Sequence, residues 1–259
     1  MDINELITLS QGTLAIMNPT TPEKVLLAGQ AAGLREGSRV MEIGCGNGTI
    51  LALWGREYGV SGLGIEVRED ACRRAGQALR EAGVGDRITV RRMDAREYVP
   101  DEPFDCAASI GASHIWGGFA ATLDALMELV TDEGVIIIGD RCWRKEHVPP
   151  EFAREWSDVL TGYEILSIVR DVGLDVAAVI RADVDDWDRY ESGIWQAILS
   201  WLAANPSHPG RDFVIAYLHH LQDEYFGYGR EHGLGDVCPG ARVLVIRLRM
   251  HAPTRVFSA

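Results

Sequence analysis

Between residues 38 and 140, short apolar runs alternate with stretches whose apolar residues return every third or fourth position. "SRVMEIG" reads as a strand, and in "GTILALWGREYG" Ile50, Leu53, Trp54 and Tyr58 share one helical face. "SGLGIEV" is a second strand. Cys72, Ala75, Leu79 and Ala82 then mark a second helix, with Gly83 as its expected stop. "DRITVRRMD" and "FDCAASIG" supply a third and a fourth strand, and Phe119, Leu123, Leu126, Met127 and Val130 a helix behind them. "GVIIIGD" (134–140) is the fifth strand, its apolar run unbroken, as expected of a strand covered on both faces. Alternation of this kind predicts an α/β fold with a mostly parallel sheet and helices on both faces.

After Asp140 the rhythm changes. "PPEFAREWSDVL" and "GYEILSIVRDVG" read as helices, "LDVAAVIRA" as a sixth strand, and "ARVLVIRLR" as a seventh that arrives only near residue 241. The segment between them is helical and rich in aromatic residues, including Trp187, Tyr190, Trp195, Trp201, Tyr217, Tyr225, Phe226 and Tyr228. It is too long for an ordinary connection. The expected organisation is therefore an N-terminal helical cap (1–36), a Rossmann-like core (37–183), a helical insertion acting as a substrate lid (184–239), and the final core strand (240–259).

Composition narrows the function classes. With 259 residues and 47% apolar content the chain can bury a full core. A net charge of −13 repels phosphate backbones and anionic lipid, so neither nucleic acid nor a membrane surface is expected as the main partner. No run reaches the roughly 20 apolar residues of a membrane span, and "MDINELITLSQG" lacks the features of a secretory signal. Five cysteines, none spaced Cys-x-x-Cys, argue against a disulfide framework or structural zinc. His208, His219, His220 and His232 have no carboxylate partner at ligand spacing, so no metal is expected. The expected location is cytoplasmic, with monomer and homodimer both open.

The candidate chemistry begins at "VMEIGCGNGTI". A dinucleotide loop wants Gly-x-Gly-x-x-Gly, whereas Gly44, Gly46 and Gly48 are spaced one residue more tightly. Glu42, two residues earlier, would repel a pyrophosphate but favour a ligand carrying an ammonium and a sulfonium. Glycines let the backbone approach such a ligand without a Cβ in the way. Glu66 ends the second strand, where a carboxylate can accept both hydroxyls of a ribose. Asp94 ends the third, placed to accept from an adenine amine, with the Ala95 N–H available to the ring.

This series, acid, Gly-x-Gly-x-Gly, acid, Asp-Ala, then "FDCAASIG", resembles the class I S-adenosylmethionine (SAM)-dependent methyltransferases over residues 38–140. The resemblance implies SAM as cofactor and S-adenosylhomocysteine as product. It implies Glu42, Gly44, Gly46, Asn47 and Gly48 on the methionine side, Glu66 at the ribose, and Val67 packing on adenine. Asp94 and Ala95 would meet the adenine edge, and Ser109, Ile110 and Gly111 the methyl end. "MNPTTPEK", "GASHIWGGFA", "IIIGDRCWR" and "WDRY…WLAANP" resemble a narrower bacterial group of mostly unassigned substrate. The chain departs from that group's pattern at Gly139–Trp143 and at His114.

Candidates on the acceptor side each have two readings. His114 is either a general base or a loop histidine bonded to backbone. Asp140 either orients a substrate or caps a turn. Tyr190 and Trp187 either face the sulfonium or pack the inserted helices. Nucleic-acid amino-methyltransferases carry Asp/Asn-Pro-Pro-aromatic after the fourth strand, where this chain has "SIGAS". Together with the charge, that points to a small-molecule methyl acceptor. A SAM-binding sensor or scaffold without transfer activity, and a nicotinamide-dependent oxidoreductase, are the alternatives.

Overall fold

The computed structural model describes residues 3–143, 148, 150, 154, 156–229 and 239–248. Seven strands form one sheet: β1 (Arg39–Ile43), β2 (Ser61–Glu66), β3 (Ile88–Arg92), β4 (Phe104–Ile110), β5 (Val130–Trp143), β6 (Leu174–Arg181) and β7 (Pro239–Leu248), in the order β3-β2-β1-β4-β5-β7-β6. The first five are mutually parallel. β7 runs antiparallel to both of its neighbours, β5 and β6. β5 begins four residues before the apolar run that reveals it in the sequence and extends three beyond.

Side-chain alternation along the strands divides the core in two. Val40, Cys106, Ala108, Ile137 and Val245 face α2 (Pro22–Ala32), α3 (Thr49–Tyr58) and α4 (Glu69–Glu81). Met41, Ile43, Ala107, Ile136, Ile138, Leu244 and Ile246 face α5 (Phe119–Met127) and α6 (Gly162–Asp171). Each fully buried Ile or Leu of these layers contributes about 1.5–3 kcal/mol relative to exposure. On the first face Trp54 is fully buried, and its indole N–H donates to the Val25 carbonyl at 2.9 Å. Tyr58 donates to Leu26 O at 2.6 Å, so two aromatic side chains of α3 are tied to the backbone of α2.

A third apolar cluster lies apart from the sheet. Leu6 of α1 (Ile3–Gln11) packs with Ile194, Ile198 and Leu202 of α7 (Val184–Ala204) and with Val214 and Leu218 of α8 (Arg211–Gly229). α7 starts with a capping box in which Asp183 and Asp186 satisfy each other's backbone N–H groups. Asp186, 2% exposed, also receives the Lys24 ammonium from α2 and the Arg189 guanidinium at 3.1 Å. One buried carboxylate thus holds the start of α7 to α2.

Of the helix expected over 149–160, Pro150 and Arg154 are helical and residues 149, 151–153 and 155 lie outside the described residues; Trp156–Asp158 is a turn, and Leu160 bridges Cys142. His232 also lies outside them. No described helix is long and apolar enough to cross a membrane.

Candidate active site

Strands β1 and β4 are neighbours whose following connections leave in opposite directions along the sheet, and ligands of doubly wound folds bind beyond the strand ends at such a point. There the chain turns from β1 into α3 through Gly44, Gly46 and Gly48, at φ 66°, 51° and 71°. L side chains rarely adopt these angles. Space forbids them too, because a Cβ on Gly44 would stand 2.5 Å from that of Ala112. Glu66, at the end of β2, is 7% exposed; it accepts from Gly46 N at 3.0 Å and from Arg68 N at 2.9 Å, with the Arg68 guanidinium at 3.4 Å.

Glu42 is buried on β1, and its Oε2 receives no hydrogen bond. Burial first, and then the nearby charge of Glu66, push its carboxyl well above the usual carboxylate range. Two acids therefore sit within reach of each other's field without a cation shared between them. Ser109, at the end of β4, is likewise buried with its hydroxyl unpartnered. Asp94 caps the short turn after β3; the Arg96 guanidinium bonded to it, and then the Arg96 N–H, hold its carboxyl down at about 2.

A cavity of about 1390 Å³ runs from these strand ends to the inner faces of α7 and α8. Gly44, Gly46, Glu66, Val67, Asp94, Ala95, Ile110 and Gly111 line it, as do His114, Asp140 and Tyr190. Glu42, Asn47, Gly48 and Ser109 stand behind this wall. The Asn47 amide is occupied elsewhere: it donates to Leu14 O at 2.9 Å and accepts from Arg74 Nε at 2.9 Å. Its side chain anchors the N-terminal segment rather than facing the cavity.

The acceptor-side candidates differ in setting. His114 is exposed, on the short helical turn Ser113–Trp116. Asp140 accepts from the Ser113 hydroxyl and, at 2.7 Å, from Arg141 N, so its carboxylate ties β5 to the turn that follows β4. The Tyr190 hydroxyl meets Gln11 Oε1 at 3.2 Å, and burial pushes the phenol above its ordinary value, which keeps its proton on.

Several wall residues escape a reading of the sequence. Met17 and Asn18, within "MNPTTPEK", cross the cleft, with Asn18 Nδ2 donating to Ile110 O at 3.0 Å. Glu191 and Glu224 face the cavity from α7 and α8. Their helical spacing from Trp187 and Leu221 was the available signal. Among the described residues no group of three or more His, Cys, Asp or Glu side chains could hold a metal ion.

A family profile described as "Methyltransferase domain" matches residues 40–134. The chain is 34% identical to the uncharacterized protein YjhP of Escherichia coli K12 over 236 residues, 89% of this chain and 95% of YjhP. Solved structures of SAM-dependent methyltransferases from Geobacter sulfurreducens and Thiobacillus denitrificans, both in complex with S-adenosylhomocysteine, superpose with TM-scores of 0.87 and 0.86. They are 34% and 33% identical; each comparison covers 96% of this chain, with 99% and 100% of the other. This chain belongs to the class I SAM-dependent methyltransferases. Its structure fits that methyltransferase cofactor on its own terms. The unpartnered oxygen of Glu42 suits an ammonium, and glycine at 44 and 46 brings bare backbone to the cavity wall.

Proposed function

We propose that this methyltransferase acts on a small molecule enclosed between the strand ends and the α1–α7–α8 unit, which serves as the lid. The observation that carries the reading is the cavity: at about 1390 Å³ it exceeds the ordinary ligand pocket of roughly 300–1,000 Å³, leaving room for an acceptor beside the cofactor. The −13 charge supports it, since an acidic surface disfavours a polyanionic acceptor.

In this reading Gly44 and Gly46 border the amino-acid part of the cofactor, Glu42 acts on its ammonium from just behind that wall, and Glu66 takes the ribose hydroxyls. Val67, Asp94 and Ala95 border the adenine, and Ile110 and Gly111 the methyl end, with Ser109 behind them. Bound SAM supplies an already activated sulfonium methyl, so the protein's share is alignment and exclusion of water. Asp140, fixed by Ser113 and the Arg141 N–H, positions the loop that carries His114. His114 stands at the cavity wall as a candidate proton acceptor. The protein is expected to work in the cytoplasm.

The test is incubation with methyl-labelled SAM and a cell extract separated into dialysable and macromolecular fractions. Label is expected in the dialysable fraction. Label confined to protein, lipid or nucleic acid would overturn the small-molecule reading.

A further inference from the structure

The acceptor end of the cavity has a chemical character of its own. α7 contributes Trp187, Asp188, Tyr190 and Glu191 to the wall, and α8 contributes Leu221, Glu224 and Tyr225; no Lys or Arg from either helix joins them. The cavity's cationic side chains at this end come from β5 and β7, and both have partners. Arg141 bonds Asp158 at 3.3 Å, and Arg242 donates to Trp143 O at 3.3 Å. On the acid side, Asp188 accepts from the Tyr225 hydroxyl. Trp187 and Tyr190 meet edge to face at 6.2 Å. The Trp187 indole N–H is buried and has no hydrogen-bond partner.

Resting on the methyltransferase reading, we propose that the acceptor is an amine, recognised as its ammonium by Glu191 and Glu224 against the Trp187, Tyr190 and Tyr225 rings. A carboxylate or phosphate in this position would face like charge from two helices. A neutral hydroxyl or thiol would leave both acids without a counter-charge. An ammonium satisfies the acids and gains from the aromatic faces around it. An acceptor atom elsewhere on the same molecule would satisfy the Trp187 N–H. Burial, and then the charge of Glu224, raise the Glu191 carboxyl to about 7. A neighbouring ammonium would hold it ionised. Before transfer one N–H proton of the ammonium passes to a neighbouring carboxylate, and the N–H electron pair remains on nitrogen as the lone pair a nucleophile needs.

The test is calorimetry on the S-adenosylhomocysteine-loaded protein with three probes of similar shape: 2-phenylethylamine, 2-phenylethanol and phenylacetate. The amine is expected to bind at least tenfold more tightly than either other probe. Glu191→Gln and Glu224→Gln should each remove that preference while leaving 2-phenylethanol binding unchanged. Equal or tighter binding of the alcohol or the acid, absence of amine binding, or an amine preference intact in both variants would overturn the proposal. The affinity ratio of SAM to S-adenosylhomocysteine in Glu191→Gln is the control. A changed ratio would assign the acids to the sulfonium and overturn the amine class. Failure of the wild-type protein to bind S-adenosylhomocysteine at all would instead overturn the cofactor reading beneath it.

Discussion

At the strand ends the cavity is shaped largely by backbone, through Gly44, Gly46 and Gly111; at the helical end it is shaped by side chains, Trp187, Glu191, Glu224 and Tyr225. The first end is a geometric solution. Positive φ angles and a 2.5 Å approach to Ala112 leave almost no choice of residue. The second end is a chemical choice. α7 and α8 are held together through their own apolar cluster, so their cavity-facing residues can vary without touching the sheet. One half therefore specifies a cofactor common to a family, and the other is free to specify an acceptor.

The sharpest way to break this contrast is Gly44→Ala. Left-handed strain and the clash with Ala112 together should cost about 2–6 kcal/mol of stability. S-adenosylhomocysteine binding, followed by calorimetry, should fall beyond detection. Wild-type affinity in this variant would show that the glycine turn is not part of the cofactor site.

Ile198→Ala tests the other half. The side chain is fully buried between α1, α7 and α8, so the substitution should cost about 2–5 kcal/mol in a melting experiment. S-adenosylhomocysteine affinity should stay within about twofold, because the cavity created is remote from the strand ends. A large loss of cofactor affinity would mean that the two halves fold and bind as one.

Glu42→Gln should weaken SAM binding by about 1–3 kcal/mol, as loss of a charge-assisted partner does. It also carries a pH signature. The carboxyl is raised in the free protein, so the free protein loses stability as pH climbs from the ordinary carboxylate range towards that raised value. A ligand ammonium reverses the shift, so binding should release a proton from wild type and none from Glu42→Gln. Calorimetry in two buffers of different ionisation enthalpy reads this directly, and no release from wild type would remove Glu42 from the ammonium.

Lys24→Met, at the junction of the halves, should have the smallest effect on the cofactor site. Asp186 keeps Arg189 and its capping hydrogen bond, so a loss of about 1–3 kcal/mol by denaturant titration is expected. Cofactor affinity should be unchanged.

The same contrast explains what could be read from the chain. The strands and the helices around them follow from periodicity, because burial on two faces of a sheet forces unbroken apolar runs such as that of Ile136–Ile138. The glycine turn and its acids are legible because backbone geometry restricts residue type within a short window. Glu191 and Glu224 are not legible in this way. They lie 33 residues apart in the numbering, each is one acid among 38, and only the packing of α7 on α8 turns them towards the same space. Asn47 shows the converse: it stands in the glycine turn, yet its side chain is directed to Leu14 and Arg74.

The placement of β7 between β5 and β6 has a consequence for synthesis. The strand that joins those two leaves the ribosome after the other six. Until it emerges, β5 lacks one of its two partners, and β6 has no partner in the sheet. Open strand edges of this kind invite pairing with other chains. A nascent polypeptide stalled before residue 239 would therefore hold most of the finished domain and yet carry two unprotected edges, a state suited to capture by chaperones until the closing strand arrives.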